Sequence, residues 1–127
     1  MRAESGGSVK KKPPLALAKK KADKLWSDII HEKYNHRCAF CGETFALAAH
    51  HIRSRRFAST RWEVLNGILL CRKEHFLSHS DPEAFRRLLV DLHGVKLVNY
   101  LWKKSQVIAK VTMPYMEDVL KELEREC

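Results

Sequence analysis

The spacing of cysteines and histidines between positions 38 and 79 constrains this chain more than any other feature. Cys38-Ala39-Phe40-Cys41-Gly42 sets two thiols two residues apart. That spacing lets both reach one ion, and the glycine permits the tight return of a knuckle. His50-His51-Ile52 follows, then Asn66-Gly67-Ile68-Leu69-Leu70-Cys71, then His75-x3-His79. Four of the seven histidines and three of the four cysteines lie in this stretch. The cysteines are too few and too clustered for a secreted disulfide scaffold, and C-x2-C in a reducing compartment points to metal or redox chemistry.

Around that stretch the pattern predicts a single domain with a tail. Residues 1–13 (Ser5-Gly6-Gly7-Ser8, then Lys10-Lys11-Lys12) form a polar, basic lead-in expected to be disordered. Residues 14–127 form the domain, with a core at about 36–80 and a helical extension at about 81–126. Ala22, Leu25, Trp26, Ile29 and Ile30 recur at helical spacing, so a helix is expected from about Leu15 to Tyr34, closed by Asn35 in a left-handed conformation. Residues 47–52 and 68–71 read as short strands of a hairpin. Residues 53–61 read as a loop, and Asn66-Gly67 as a turn. A helix from about Arg72 carries His75 and His79 on one face. Asp81-Pro82-Glu83 opens the next helix, with Phe85, Leu88, Leu89 and Leu92 inward and Gly94 at its end. Residues 95–110 (Val95, Leu97, Val98, Leu101, Trp102) predict another helix. Thr112 is expected to cap the last one, whose stripe is Met116, Val119, Leu120 and Leu123. The fold class is α+β: a small hairpin-and-helix core flanked by an N-terminal helix and C-terminal helices.

The net charge of +9 and pI near 9.6 favour a polyanionic partner, nucleic acid first. No apolar run approaches the ~20 residues that span a bilayer, and no signal-peptide core follows the charged N-terminus. The expectation is an intracellular, cytoplasmic protein with no membrane partner.

His50 and His51 are neighbours on a strand, so their side chains point to opposite faces and suit different tasks. One could bind metal while the other acts as a base. His75 and His79 can bite one ion from a helix. A strand histidine plus this pair supplies three nitrogens with positions left open, as in catalytic metal sites. The other strand histidine, with an ordinary pKa of ~6.5, suits general-base work. Arg53, Arg55, Arg56 and Arg61 can clamp phosphate. Metal, base and guanidiniums together equip a chain for phosphodiester hydrolysis. His31, His36 and His93 read as structural.

These residues resemble the HNH endonuclease family, whose core is the treble-clef, ββα-metal unit. Cys38-x2-Cys41, His50-His51-Ile52, Asn66 to Cys71 and His75-x3-His79 carry the resemblance. His51-Ile52-x-Ser54-Arg55, Thr60-Arg61-Trp62 and Asp81-Pro82-Glu83-Ala84-Phe85 look most like small phage-encoded members. The resemblance implies His51 as general base, and His50, His75 and His79 as ligands of one catalytic divalent ion (Mg, Mn, Ni or Zn). Asn66 would hold the loop and help orient the base, and the four arginines would hold DNA phosphates. Cleavage would leave 5′-phosphate and 3′-hydroxyl ends. A structural zinc is implied at Cys38, Cys41 and Cys71. The family's fourth cysteine is replaced by Glu74, which could ligate through oxygen, or His36 could stand in. The expected function is DNA nicking or double-strand cleavage, in the host cytoplasm if phage-encoded, with phage or host DNA-processing proteins as further partners. The alternatives are a non-catalytic zinc-stabilised DNA-binding module and a nuclease subunit active only within a phage recombination or packaging assembly.

Overall fold

A computed structural model describes residues 14–127. The tail expected at 1–13 lies outside them. The fold is mixed α+β and mostly helical. Among the described residues, six helices surround one two-stranded antiparallel sheet. No helix among them is long and apolar enough to cross a membrane.

Helix α1 (Pro14–Lys33) buries Ala18, Ala22, Trp26, Ile29 and Ile30, the stripe expected from periodicity. It ends in two successive left-handed residues, Asn35 (φ 55°) and His36 (φ 56°), which turn the chain into the cysteine knuckle. Gly42, at φ 77°, closes that knuckle. Strand β1 (Ala48–His51) pairs with β2 (Gly67–Leu70), so that Ala48 faces Leu70 and His51 faces Gly67.

Two expectations fail between the strands. The stretch 53–61 is not all loop, because Ala58–Arg61 forms a short helix, α2, followed by a 3-10 turn at Val64–Asn66. The Phe57 carbonyl starts α2 by accepting from the N–H groups of Thr60 and Arg61. Asn66-Gly67 is not the reversing turn either, for Gly67 is extended (φ −106°, ψ 142°). Its lack of a side chain serves close approach. A Cβ there would lie 2.3 Å from Ile30 Cδ1 and 2.8 Å from Trp26 Cζ2, so α1 sits directly on the strand.

Every residue of β2 is buried, because cores lie on both of its faces. Leu69 packs with Trp26, Ile30, Trp62, Met116 and Leu123. Ile68 and Leu70 pack on the other side with Cys38, Cys71, Phe85 and Leu89. The alternation of the strand thus sorts three consecutive apolar residues into two cores.

Helix α3 (Arg72–Ser80) follows β2 directly, and Asp81 separates it from α4 (Pro82–His93). Asp81 caps α4 by accepting from Ala84 N–H at 3.2 Å, and Gly94 (φ 90°) ends it. Helix α5 (Val95–Ser105) stops short of residue 110, with the Ser105 hydroxyl donating to the Trp102 carbonyl. Helix α6 (Met113–Glu126) is capped by Thr112 and packs along α1. Leu92 and Trp102, expected on buried stripes, are 44 % and 55 % exposed.

Candidate functional site

β1 ends in two histidines whose rings diverge. His50 points toward α3, where His75 and His79 stand one turn apart. One nitrogen from each of the three rings lies within 4.8 Å of the others. Ring centroids are 5.0 Å apart for His50 and His75, 5.9 Å for His50 and His79, and 5.2 Å for His75 and His79. The edge of Phe85 backs His50 from α4. Burial, and then the neighbouring imidazoles, push the His50 pKa down to about 4. The ring is therefore neutral near pH 7, the form that ligates metal. A set of three imidazole nitrogens fits a borderline ion such as zinc or nickel better than oxygen-seeking magnesium.

His51 lies on the other side of β1. Its ring stacks on Trp26, and its Nε2 is 3.0 Å from the Arg61 carbonyl. A carbonyl only accepts, so Nε2 carries the proton and Nδ1 is the basic nitrogen. Burial lowers the pKa of His51, and the Arg61 carbonyl partly offsets this. The carbonyl is itself held in place. The Arg61 guanidinium donates to Asp23 at 3.2 and 2.8 Å, and Trp62 Nε1 donates to the same carboxylate at 2.8 Å. Asp23 and Trp26 both belong to α1, so one helix supplies the plate beneath His51 and the anchor of its acceptor. Sequence reasoning missed Asp23. The signal was a single acid amid Lys19, Lys20, Lys21 and Lys24.

Asn66 is fully buried between the strands. It donates to the carbonyls of Arg53 and Thr60, each at 3.0 Å, and accepts from Arg53 N–H at 2.7 Å. It braces both ends of the 53–61 segment and belongs to neither ligand cluster.

The sulfurs of Cys38, Cys41 and Cys71 lie within 4.8 Å of one another, a grouping compatible with a structural metal such as zinc. The Ala39 N–H donates to the Leu69 carbonyl and pins the knuckle to β2. Burial raises the Cys38 pKa, but the backbone N–H groups of Cys41, Cys71 and Phe40 outweigh it and bring the thiol below its ordinary value. At Cys41 the Glu43 backbone lowers the thiol pKa, but burial and the sulfurs of Cys71 and Cys38 outweigh it and raise it. Of these two it is Cys38 that offers the stabilised thiolate a metal requires. Neither proposed fourth ligand joins the group. The Glu74 carboxylate is 3.9 Å from Lys73 Nζ, and His36 pairs with Glu32 at 3.2 Å.

The arginines separate. Arg53 and Arg55 border a cleft of about 770 Å³ shared with His50, His51, His75 and His79. Arg55 is also 3.7 Å from Asp23. Arg56 lies over the Phe57 ring at 4.8 Å. Arg61, expected to hold phosphate, is instead paired with Asp23 and only 17 % exposed in its side chain. Arg86 and Trp102 also line the cleft, and the sequence reading assigned neither to the site.

No protein-family model, curated protein or solved structure matches this chain. The functional reading therefore rests on the chemistry of the cleft. Three convergent nitrogens, a separately held imidazole whose Nδ1 has no hydrogen-bond partner among the described residues, and a guanidinium border can bind a metal, accept a proton and attract an anion.

Proposed function

We propose that this chain is a metal-dependent endonuclease that hydrolyses DNA phosphodiester bonds. In this reading an HNH-like treble-clef core runs from the Cys38 knuckle to the end of α3. The observation that carries it is the divided use of two adjacent histidines on β1. His50 belongs to a three-nitrogen cluster, whereas His51 is held by a carbonyl and an indole, and both border one basic cleft.

His51 takes a proton from the attacking water at Nδ1, since Nε2 is engaged by the Arg61 carbonyl. Its lowered pKa keeps it unprotonated and ready at neutral pH. Arg53 and Arg55 hold phosphate oxygens at the cleft border. His50, His75 and His79 would hold one divalent ion, which when bound supplies Lewis acidity for a phosphate oxygen and the leaving 3′ oxygen. Cys38, Cys41 and Cys71 would hold a structural zinc, fixing the knuckle against the start of α3.

The test is a nicking assay on supercoiled plasmid with Mg²⁺, Mn²⁺, Ni²⁺ and Zn²⁺ added separately, with EDTA and His51→Ala controls. Conversion to open-circle or linear DNA, lost in the variant, is the expected result. No cleavage with any metal, alongside salt-sensitive DNA binding, would replace the reading with a binding module or a subunit that needs its assembly.

A further inference from the structure

Of the three tryptophans, Trp26 and Trp62 are 2 % and 5 % exposed, whereas Trp102 is 55 % exposed. Its open ring lines the same cleft as the histidine cluster. An indole is the largest apolar side chain, and leaving it in water forgoes burial it could gain elsewhere. Its neighbour is a cation, with the Arg53 guanidinium 6.0 Å from the Trp102 ring and 4.8 Å from that of Phe57.

The pair is anchored from beneath. Arg53 Nε donates to Ser105 Oγ at 3.0 Å, and that buried hydroxyl donates to the Trp102 carbonyl at 2.6 Å. The last turn of α5 therefore ties the guanidinium and the indole into one unit. Of the three guanidinium nitrogens of Arg53, only Nε takes part in a hydrogen bond among the described residues, which leaves the two terminal nitrogens for an anion.

A guanidinium over one side of a half-exposed indole matches one repeating unit of a nucleic acid, a phosphate with its base. We propose that Arg53 and Trp102 form a nucleotide-stacking site, in which Arg53 holds a phosphate and Trp102 takes the face of an adjacent unpaired base. The inference rests on the endonuclease reading and names its substrate class: DNA with a single-stranded or unpaired segment beside the cut. In an uninterrupted duplex the bases cover each other's faces, and an indole meets only groove edges.

Intrinsic fluorescence tests this without cleavage, because the other two tryptophans are buried. Protein in EDTA is titrated with oligothymidylate, with a blunt duplex, and with the same duplex bearing a single-stranded flap. Oligothymidylate and flapped DNA are expected to quench emission and shield it from iodide, and blunt duplex is not. Trp102→Ala should bind flapped DNA about tenfold more weakly and blunt duplex unchanged, and Trp102→Phe should restore part of the loss. Circular dichroism and melting of both variants should match the parent. Equal quenching by blunt duplex, or unchanged binding of flapped DNA by Trp102→Ala, would overturn the stacking site. Plasmid nicking is scored separately. A protein that nicks but shows no dependence on Trp102 loses this inference alone, and one that stacks thymidylate but never cuts loses the nuclease reading.

Discussion

His51 lies flat on Trp26, with ring centroids 4.0 Å apart and planes 10° from parallel. With Nε2 tied to the Arg61 carbonyl, ring orientation and tautomer are fixed together. Removing the imidazole should therefore remove a base and no ligand. His51→Ala is expected to lower the nicking rate by about 10²-fold or more, within the usual range for general-base loss. Metal content measured by atomic emission should stay at the parent value. A variant that cuts as fast as the parent would remove His51 from the mechanism.

Asp23→Asn tests how the acceptor carbonyl is held. The substitution weakens the ion pair with Arg61 while keeping an acceptor for Trp62. The pair is partly exposed, so the stability loss should be modest, about 1 kcal/mol. Cleavage should fall further than stability does, about tenfold in kcat with little change in KM, because the base loses its alignment. A loss in KM alone would assign Asp23 to the DNA-binding surface instead.

Gly67→Ala should destabilise the fold. The new methyl would meet Ile30 Cδ1 at 2.3 Å in a closed core, and overpacking of this kind costs about 1–3 kcal/mol. Ile30→Val in the same chain removes the opposing methyl and should recover part of the loss. Urea unfolding of the two single variants and the double variant reads the coupling directly.

Cys38→Ser should lower the melting temperature of metal-loaded protein. It removes a sulfur from the group that joins the knuckle to Cys71 at the head of α3. Chelation should bring the parent down toward the variant and leave the variant nearly unmoved. Identical melting curves for parent and variant would argue against a metal at the sulfurs.

Acidification should weaken the metal-free fold. The His50 pKa is pushed down to about 4 in the folded chain, against an ordinary value of about 6.5. Between these values the unfolded chain binds the extra proton, so stability falls as pH drops from about 6.5 toward 4. His51 and His93, both lowered by burial, act in the same direction. Urea midpoints across that range, for the parent and His50→Gln in EDTA, should show a shallower pH dependence in the variant.

The sequence made legible whatever is periodic or locally capped. The stripe of α1, the Asp81 and Thr112 caps and the left-handed Asn35 and Gly42 are properties of short windows, and the structure has them. The grouping of the three sulfurs and of the three imidazoles was also legible, because spacing on one helix and one knuckle fixes most of their geometry. What was not legible depends on partners distant in sequence. Arg61 looked like a phosphate contact until Asp23, 38 residues earlier, took its guanidinium. Asn66-Gly67 looked like a turn because nothing local announces that α1 lies on the strand. Trp102 fitted an apolar stripe, yet its neighbours Leu101 and Ser105 take the buried side of α5 while its own ring borders the cleft.

Strand β2 is apolar on both sides and covered on both sides. A slip by one residue would exchange Leu69 with Ile68 or Leu70, so the polarity of these three residues does not select the pairing with β1. Bulk does. The slot beneath Ile30 and Trp26 admits only a residue with no side chain, and a slipped strand would bring Ile68 or, in the other direction, Asn66 into it. The alignment that sets His51 opposite Gly67, and so aims both histidines, is keyed by a steric notch one residue wide.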